Sequence, residues 1–355
     1  MKRLICVLSL ALIAISAWAD YPSRIFIDEQ DRHVQGIAYD NVKNHLFLSF
    51  TTSFVIANHE GEIIGSVDKI HGHLGAMTFD KENRKVYASL EEKNDAIGRS
   101  ISKGLGASFY TESNFYIVEF DVDAIKGRNV PFEKVAKKIK VNEVLKDYQD
   151  SVQVDGKWLK HRFGCSGMDG MCVAPEFGKV GGKNYLYVAY GIYSDTLRHD
   201  NDYQVILRYQ LKDIRKGLAK NPERYFVMTG NTDWGVQNMA YDSENHQILL
   251  CVYHGWKSQY PNYDVFSIDM HEKPFKAQLE RVPYIKGKQK QMSVKKAWFF
   301  KHGSTGICQV EKNLWYIAIS ARVIDPQTGK KRYSSDNILY RWTGEETPFV
   351  EVGQK

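Results

Sequence analysis

Much that would mark a membrane, nucleotide-binding or helical protein is missing from this 355-residue chain. Beyond its first twenty residues, no stretch approaches the ~18 consecutive apolar residues of a spanning helix. There is no G-x-x-x-x-G-K-[ST] loop and no G-x-G-x-x-G fingerprint, so neither common phosphate cradle is present. No G-x-S-x-G elbow occurs. "GCSGMDG" sets Cys165 and Ser166 near His161 without that turn. No long apolar stripe recurs every 3.6 residues, which excludes a helix-dominated fold. The formal charge of +6 is mildly basic and by itself argues neither for nor against nucleic acid; no nucleic-acid partner is expected.

Cysteine is scarce too. Cys6, Cys165, Cys172, Cys251 and Cys308 show no zinc-site spacing. Cys6 belongs to the N-terminal segment "MKRLICVLSLALIAISAWAD", where Lys2 and Arg3 precede an apolar run from Leu4 to Ile15 and Ala17-Trp18-Ala19 closes it. That is the pattern of a secretory signal peptide over residues 1–19. A membrane anchor is the alternative, but the run is short for one and no lipobox cysteine follows. The expected mature chain, 20–355, is a single domain, periplasmic or secreted, with no membrane span. Four cysteines in an oxidising compartment permit disulfides. Cys165 and Cys172 are close enough to clip a loop. Cys251 and Cys308 lie in apolar strand-like runs that suit buried thiols.

What is present is repetition. "VQGIAYD" (Val34–Asp40) returns as "VQNMAYD" (Val236–Asp242), differing only at its third and fourth positions. The same unit can be laid on Gly75, Gly170 and Gly306. Each is followed by a turn rich in Asn, Asp, Gly and Lys ("DNVKN", "DKENR", "PEFGKVGGKN", "DSENH", "EKN") and by a second apolar strand ("HLFLSF", "KVYASL", "YLYVAYG", "ILLCVYHG", "LWYIAIS"). Third strands recur as "FVIAN", "NFYIVEFDVD", "YQVILRYQL", "YDVFSIDM" and "NILYRW". Fourth strands recur as "EIIGSVD", "KVAKKIKV", "RYFVMTG", "AQLERVPY" and "PFVEVG". Four antiparallel strands repeated five times make an all-β, five-bladed β-propeller. A sixth blade between Glu91 and Lys160 is the alternative. "SRIFIDE" is expected to pair with the last blade and seal the ring, unless "PFVEVG" does so. Short helices fit "DVDAIKG" and "LKDIRKGLAK".

Alternation of strand direction puts the starts of first strands and the ends of second strands on one face. That face carries the long loops, which mark a binding side. The repeat alignment places Gln35, Leu74, Asp169, Gln237 and Thr305 around the channel, with His73 and Ser304 one step away. Arg32, His71, His161, Arg162, Trp234 and His302 stand at its mouth. Tyr190, His254 and Arg322 belong to the surrounding loops. Imidazoles, guanidiniums and aromatic rings on one rim suit a polar, anionic small molecule or a glycan. The candidate ligand-binding residues are therefore Arg32, His71, His161, Arg162, Tyr190, Trp234, His254, His302 and Arg322. Candidate metal ligands are Gln35, His73, Asp169, Gln237 and Ser304, for Ca or Zn. A metal-assisted hydrolase centred there and a protein-interaction platform are the alternative functions. A glycosidase pair would need a second carboxylate beside Asp169, from Glu91, Glu92, Asp195 or Asp233. No residue is assigned a catalytic role.

With "GIAYD…HLFLS" in view, the chain resembles secreted propellers with NHL- or YVTN-type blades. Its blade count and order are also similar to those of the calcium-activated nucleotidases (apyrase family). That resemblance implies a central calcium and nucleoside diphosphate hydrolysis. Ser304 and Asp169 stand where its ligands would be matched, and the other aligned positions carry Gln, His, Leu or Asn.

Overall fold

The computed structural model describes residues 21–353 apart from Asp31, Asn231 and Lys330; the proposed signal segment, with Cys6, lies outside the described residues. Five antiparallel sheets stand in a ring. Blade 1 runs Val34–Asp40, His45–Phe50, Ser53–Ala57, Ile63–Val67. Blade 2 runs His73–Asp80, Lys85–Glu92, Asn114–Asp121, Ala136–Lys140. Blade 3 runs Cys165–Ala174, Tyr185–Ile192, Tyr203–Gln210, Glu223–Met228. The five first strands pack against one another in chain order and close back on the first.

The turns show why the repeat folds this way. In blades 1, 2, 4 and 5 the residue before the second strand (Asn44, Arg84, His246, Asn313) is left-handed, with φ between 49° and 55°. Asp40 and Asp242, buried at the ends of first strands, accept backbone N–H groups from the turn that follows them. A side-chain acceptor at the start of a turn fixes it locally. The same carboxylates then clasp the next blade. Asp40 takes Arg84 at 2.8 Å, Asp80 takes Arg215 at 3.0 Å, and Asp242 takes Gln309 at 2.9 Å.

Apolar layers fill the wedges between blades. Between blades 1 and 2, Phe47, Phe54 and Phe120 stack with ring centroids 6.1 and 4.4 Å apart. Burial of each such ring contributes roughly 2–3 kcal/mol before chain entropy is counted.

Arg24–Gln30 pairs with Lys331–Trp342 and supplies the fourth strand of blade 5, beside Gly306–Glu311 and Leu314–Ile324. Phe349–Glu351 pairs with the far end of the same Lys331–Trp342 strand. Both termini thus share the sealing position.

The segment between Glu91 and Lys160 holds no sixth blade. It carries an Ala96–Leu105 helix, the outer half of blade 2, an Asn142–Gln149 helix and a Ser151–Val154/Lys157–Lys160 hairpin. Three local expectations are corrected. In blade 4 (Asp233–Asp242, Gln247–Tyr253, Val265–Asp269) the fourth strand is Lys296–Trp298, not "AQLERVPY". Phe275–Ala277 pairs instead with Gln289–Met292, which joins the outer edge of blade 3. "DVDAIKG" forms turns rather than a helix, while Leu211–Ile214 is one helical turn. Cys165, Cys172, Cys251 and Cys308 are all free and buried, so no loop is clipped. No helix among the described residues is long and apolar enough to cross a membrane.

Candidate functional site at the channel mouth

A cavity of about 510 Å³ opens where the channel meets the long-loop face. Its floor is built from irregularities in the first strands. In blades 1, 3 and 4 one extra residue interrupts the ladder between strands one and two, at Gln35, Asp169 and Gln237. Such bulges re-aim a side chain, and all three side chains line the cavity. In blade 2 the bulge falls later, at Gly75 and Ala76. His73 lines the cavity, whereas Leu74 is buried in the core. Leu74 is therefore not a channel-lining residue.

Gln35 and Gln237 meet across the channel, Gln237 Nε2 donating to Gln35 Oε1 at 3.1 Å. Asn238 Nδ2 donates to the Gln35 carbonyl at 2.9 Å. The Gln35 amide nitrogen faces His73 Nε2 at 2.9 Å and His33 Nε2 at 2.5 Å. Acting as donor to both, it leaves each imidazole proton on Nδ1. Burial, then the neighbouring His73 and Arg32, pull His33 down to about 4, so its ring is neutral at physiological pH.

Beside them lies a cluster of ionisable groups. Donor atoms of His73, Glu91 and Asp169 all fall within 4.8 Å of one another. Glu91 ends the second strand of blade 2 and is 2% exposed. Burial opposes its charge, but Lys93, at 2.7 Å, and His73 hold it below the usual carboxylate range. Its other oxygen accepts the Met168 N–H at 2.8 Å. That approach requires Gly167 at φ +150°, since a Cβ there would sit 1.7 Å from Glu91 Oε1.

Lys93 is itself buried and also donates to the Ser166 carbonyl at 3.3 Å. Burial disfavours its charge, yet Glu91 raises its pKa well above that of a free lysine. The Glu91–Lys93 pair is thus neutral as a unit. Asp169 has no such partner: it accepts no hydrogen bond among the described residues, and burial followed by the Glu91 charge raises it to about 7. A carboxyl with no counter-ion of its own faces the cavity beside an imidazole whose Nδ1 makes no hydrogen bond and stands 3.7 Å from Glu91 Oε2.

The walls differ from the floor. Ala96, Ile97 and Ile101 of the Ala96–Leu105 helix form one side; Tyr193, Trp234 and Tyr253 form another. Asp95 caps that helix by accepting Gly98 N at 2.8 Å, and Arg32 donates to the Ser100 carbonyl at 3.2 Å.

Of the residues singled out from sequence, the cavity gathers Arg32, Gln35, His73, Asp169, Trp234 and Gln237. The others lie elsewhere. His71 stacks on Tyr110 at 4.3 Å and meets Ser102 Oγ at 2.9 Å. His161 packs between Tyr148 and Tyr193 and bonds the Tyr148 carbonyl. Arg162 faces Asp147 and Asp150. Tyr190 is fully buried with its hydroxyl on Asp147, so it is a core residue and not a ligand-binding one. His254 pairs with Asp264 on the outer rim, and His302 packs beside Phe300. Arg322 is exposed on the long blade 5 hairpin. Ser304 and Thr305 stay outside the cavity, Thr305 Oγ1 bonding the His302 carbonyl. With Ser304 absent from the floor, the ligand set implied by the nucleotidase resemblance is not assembled, and that resemblance finds no support. Sequence reading missed Lys93 and His33; of the four carboxylates it offered as neighbours of Asp169, the cavity holds Glu91 and not Glu92, Asp195 or Asp233.

No protein-family model matches the sequence, and no curated protein matches it. Among solved structures it is similar to a regucalcin from Agrobacterium tumefaciens str. C58, described as a calcium-binding protein (10% identity, 92% of this chain and 95% of that one, TM-score 0.36). It is also similar to the soluble aldose sugar dehydrogenase of Escherichia coli in its apo-form (7% identity, 88% and 99%, TM-score 0.39) and to a luciferin-regenerating enzyme (9% identity, 88% and 95%, TM-score 0.36). At these values the likeness carries no information on activity.

Proposed function

We propose that this propeller binds a polar small molecule in the channel-mouth cavity through a divalent cation held by His73, Glu91 and Asp169. One observation carries the reading: three donor side chains of metal-ligating type converge within 4.8 Å at the floor of a cavity large enough for a small ligand. Asp169 brings the uncompensated charge. Glu91 is shared with Lys93, and Gln35 and Gln237 border the cluster with amide groups. A set of one imidazole and two carboxylates suits Zn²⁺ or Mn²⁺ better than Ca²⁺, which takes six to eight oxygens. Cation binding would displace the proton that Asp169 holds up to about 7, so affinity would rise with pH. The same cation would draw anionic or oxygen-rich ligands. We further infer, from the leader alone, that the chain works outside the cytoplasm.

Elemental analysis of purified protein tests the cation, with calorimetric titration of chelator-stripped protein with Zn²⁺, Mn²⁺ and Ca²⁺. One equivalent bound by wild type and lost in both Asp169→Asn and His73→Ala supports the reading. A protein that holds none of the three ions, with melting unchanged by chelator, overturns it.

A second reading, hydrolysis of an ester or lactone, is favoured by the position of Asp169. A carboxyl titrating near 7 is matched to general-base work at neutral pH. Turnover that vanishes in Asp169→Asn while ligand affinity persists would favour it over simple binding.

A further inference from the structure

Thirteen described residues other than glycine have positive φ. Most are Asn, Asp, Lys or Arg, types common in turns. Two are bulky aromatics, Phe163 at φ +58° and Trp234 at φ +59°; Phe163 is buried in the core, and of the two only Trp234 lines the cavity. A bulky side chain in the left-handed region is a conformational outlier that the surrounding structure must impose. Here the imposing element is visible. The ladder between Asp233–Asp242 and Gln247–Tyr253 breaks between Asp233 and Val236. Gly235, at φ +73°, passes so close to blade 3 that a Cβ would lie 2.7 Å from the Tyr190 carbonyl oxygen.

The strained residue is not hidden. Trp234 is 43% exposed and lines the cavity, edge-on to Tyr193 at 6.3 Å. A second exposed tryptophan, Trp256, reaches the neighbouring Asp233 with its indole N–H at 3.4 Å. Packing therefore does not explain the strain, because a large part of the indole remains in solvent.

The cavity has a definite chemical shape. Its floor is polar (Gln35, His73, Glu91, Asp169, Gln237), while Trp234 and the Ala96–Leu105 helix form aromatic and aliphatic walls. A ligand that satisfies both has an apolar face and an edge of oxygens. Pyranose sugars have this form: axial C–H groups make one face apolar, and the ring's hydroxyls lie around its edge. Aromatic side chains offer such rings a stacking surface.

We propose that Trp234 is a stacking platform that makes the cavity selective for a pyranose-type sugar ring. This rests on the cavity identified above as the ligand site, and the ring's hydroxyl edge would face the His73–Glu91–Asp169 floor. The backbone strain at Trp234 is retained because it presents the indole to the ligand.

The test uses the full mature chain and the methyl pyranosides of glucose, galactose and mannose, with the open-chain alditol glucitol as control. Binding is read by tryptophan fluorescence and by saturation-transfer NMR, with and without Zn²⁺ or Mn²⁺. The variants are Trp234→Phe and Trp234→Asn, since asparagine accepts the left-handed backbone. At least one pyranoside should bind saturably and glucitol at least tenfold more weakly. Trp234→Asn should lower pyranoside affinity about tenfold or more while its melting temperature holds or rises, and Trp234→Phe should retain part of the affinity. The opposite movement of affinity and stability is what a merely structural tryptophan would not give.

No saturable binding by any of the three pyranosides overturns the proposal. So does a Trp234→Asn protein that melts lower while binding sugar as wild type does. The cation reading fails separately. If pyranosides bind through Trp234 and no metal is taken up, only the role of the cation falls; if metal binds normally and sugars ignore Trp234, only the platform falls.

Discussion

The two ends of the channel use the same residue type in opposite ways. At the hairpin-turn end, Asp40, Asp80 and Asp242 are buried carboxylates that accept donors from their own turns and from the next blade. Burial works against the charge of Asp40, but Arg84 and the turn N–H groups hold it below the usual range. At the loop end, Asp169 sits on an equivalent first strand with no donor, and is pushed the other way. The residues whose backbone is strained without being turn-formers, Trp234 and Phe163, are also at or behind this end. One end is arranged for stability, the other holds unsatisfied groups facing a cavity. Unsatisfied charge and strain in one place are what a binding site requires and a scaffold avoids.

The largest effects should come from breaking charge balance. Lys93→Met would leave Glu91 buried without its counter-ion, at a cost of roughly 3–5 kcal/mol. Adding Glu91→Gln to that variant should recover much of the loss, which a double-mutant cycle by chemical denaturation would measure. If the single variant is as stable as wild type, Glu91 does not depend on Lys93. At the turn end, Asp242→Ala strips acceptors from the Glu244 and Asn245 backbone and from Gln247 and Gln309. It should cost about 2–3 kcal/mol. Asp169→Asn should cost nothing and can stabilise the metal-free protein. Equal losses at Asp242 and Asp169 would erase the contrast between the two ends.

The turn end was readable from sequence because its information is local. A carboxylate, a turn and a left-handed residue recur at fixed offsets, so "DNVKN" and "DSENH" announce the same geometry. The loop end was readable only in part. Gln35, Asp169 and Gln237 follow from the repeat because their bulges share one position. Blade 2 shifts its bulge toward Gly75 and Ala76, and alignment by repeat therefore chose Leu74 where the fold uses His73.

Glu91 is one of four carboxylates that the sequence offers as neighbours of Asp169, and alternation could have chosen it among them. Tyr87, Ser89 and Glu91 point to one side of a strand that ends on the loop face. The helix beside it carries its own signal, Asp95 as cap with Ile97, Ile101 and Leu105 at helical spacing. No local pattern reveals that Phe275–Ala277 leaves blade 4 for the edge of blade 3, since that pairing is decided by distant partners.

An intermediate effect separates the ends by pH. The Asp40 carboxyl is lowered on folding, so its stabilisation is present above the unfolded value of 3.8 and lost as pH falls through it. Asp169 has the reverse sign. Its folded form holds the proton up to about 7, so its favourable share is complete below 3.8 and is lost as pH rises from there toward 7. On these two groups, metal-free wild type should therefore be most stable near pH ~4, where the Asp40 share is nearly complete and the Asp169 share has barely begun to fall. Asp169→Asn should flatten the decline on the alkaline side and leave the acid side alone, and a bound cation should do likewise in wild type. Thermal melts from pH ~2.5 to 8 in the presence of chelator would show it. An alkaline decline unchanged by Asp169→Asn would assign that slope to other groups.

The smallest expected effect concerns how open the turn end is. Cys172 and Cys308 border a cavity of about 380 Å³ formed where the same first strands end, whereas Cys251 lies wholly in the core between blades. All three are nearly or fully buried, and burial raises their thiols, Cys308 to about 12. Reaction with a disulfide reagent needs both thiolate and access. In the native protein the three should therefore label at similar, slow rates set by opening of the fold, and rapidly in denaturant. Mass spectrometry of partly labelled protein resolves the sites. Cys308 or Cys172 reacting well ahead of Cys251 would mean that the turn-end cavity breathes open without global unfolding. The clasps from Asp40 to Arg84 and from Asp242 to Gln309 argue against that, because they tie neighbouring blades together at this end.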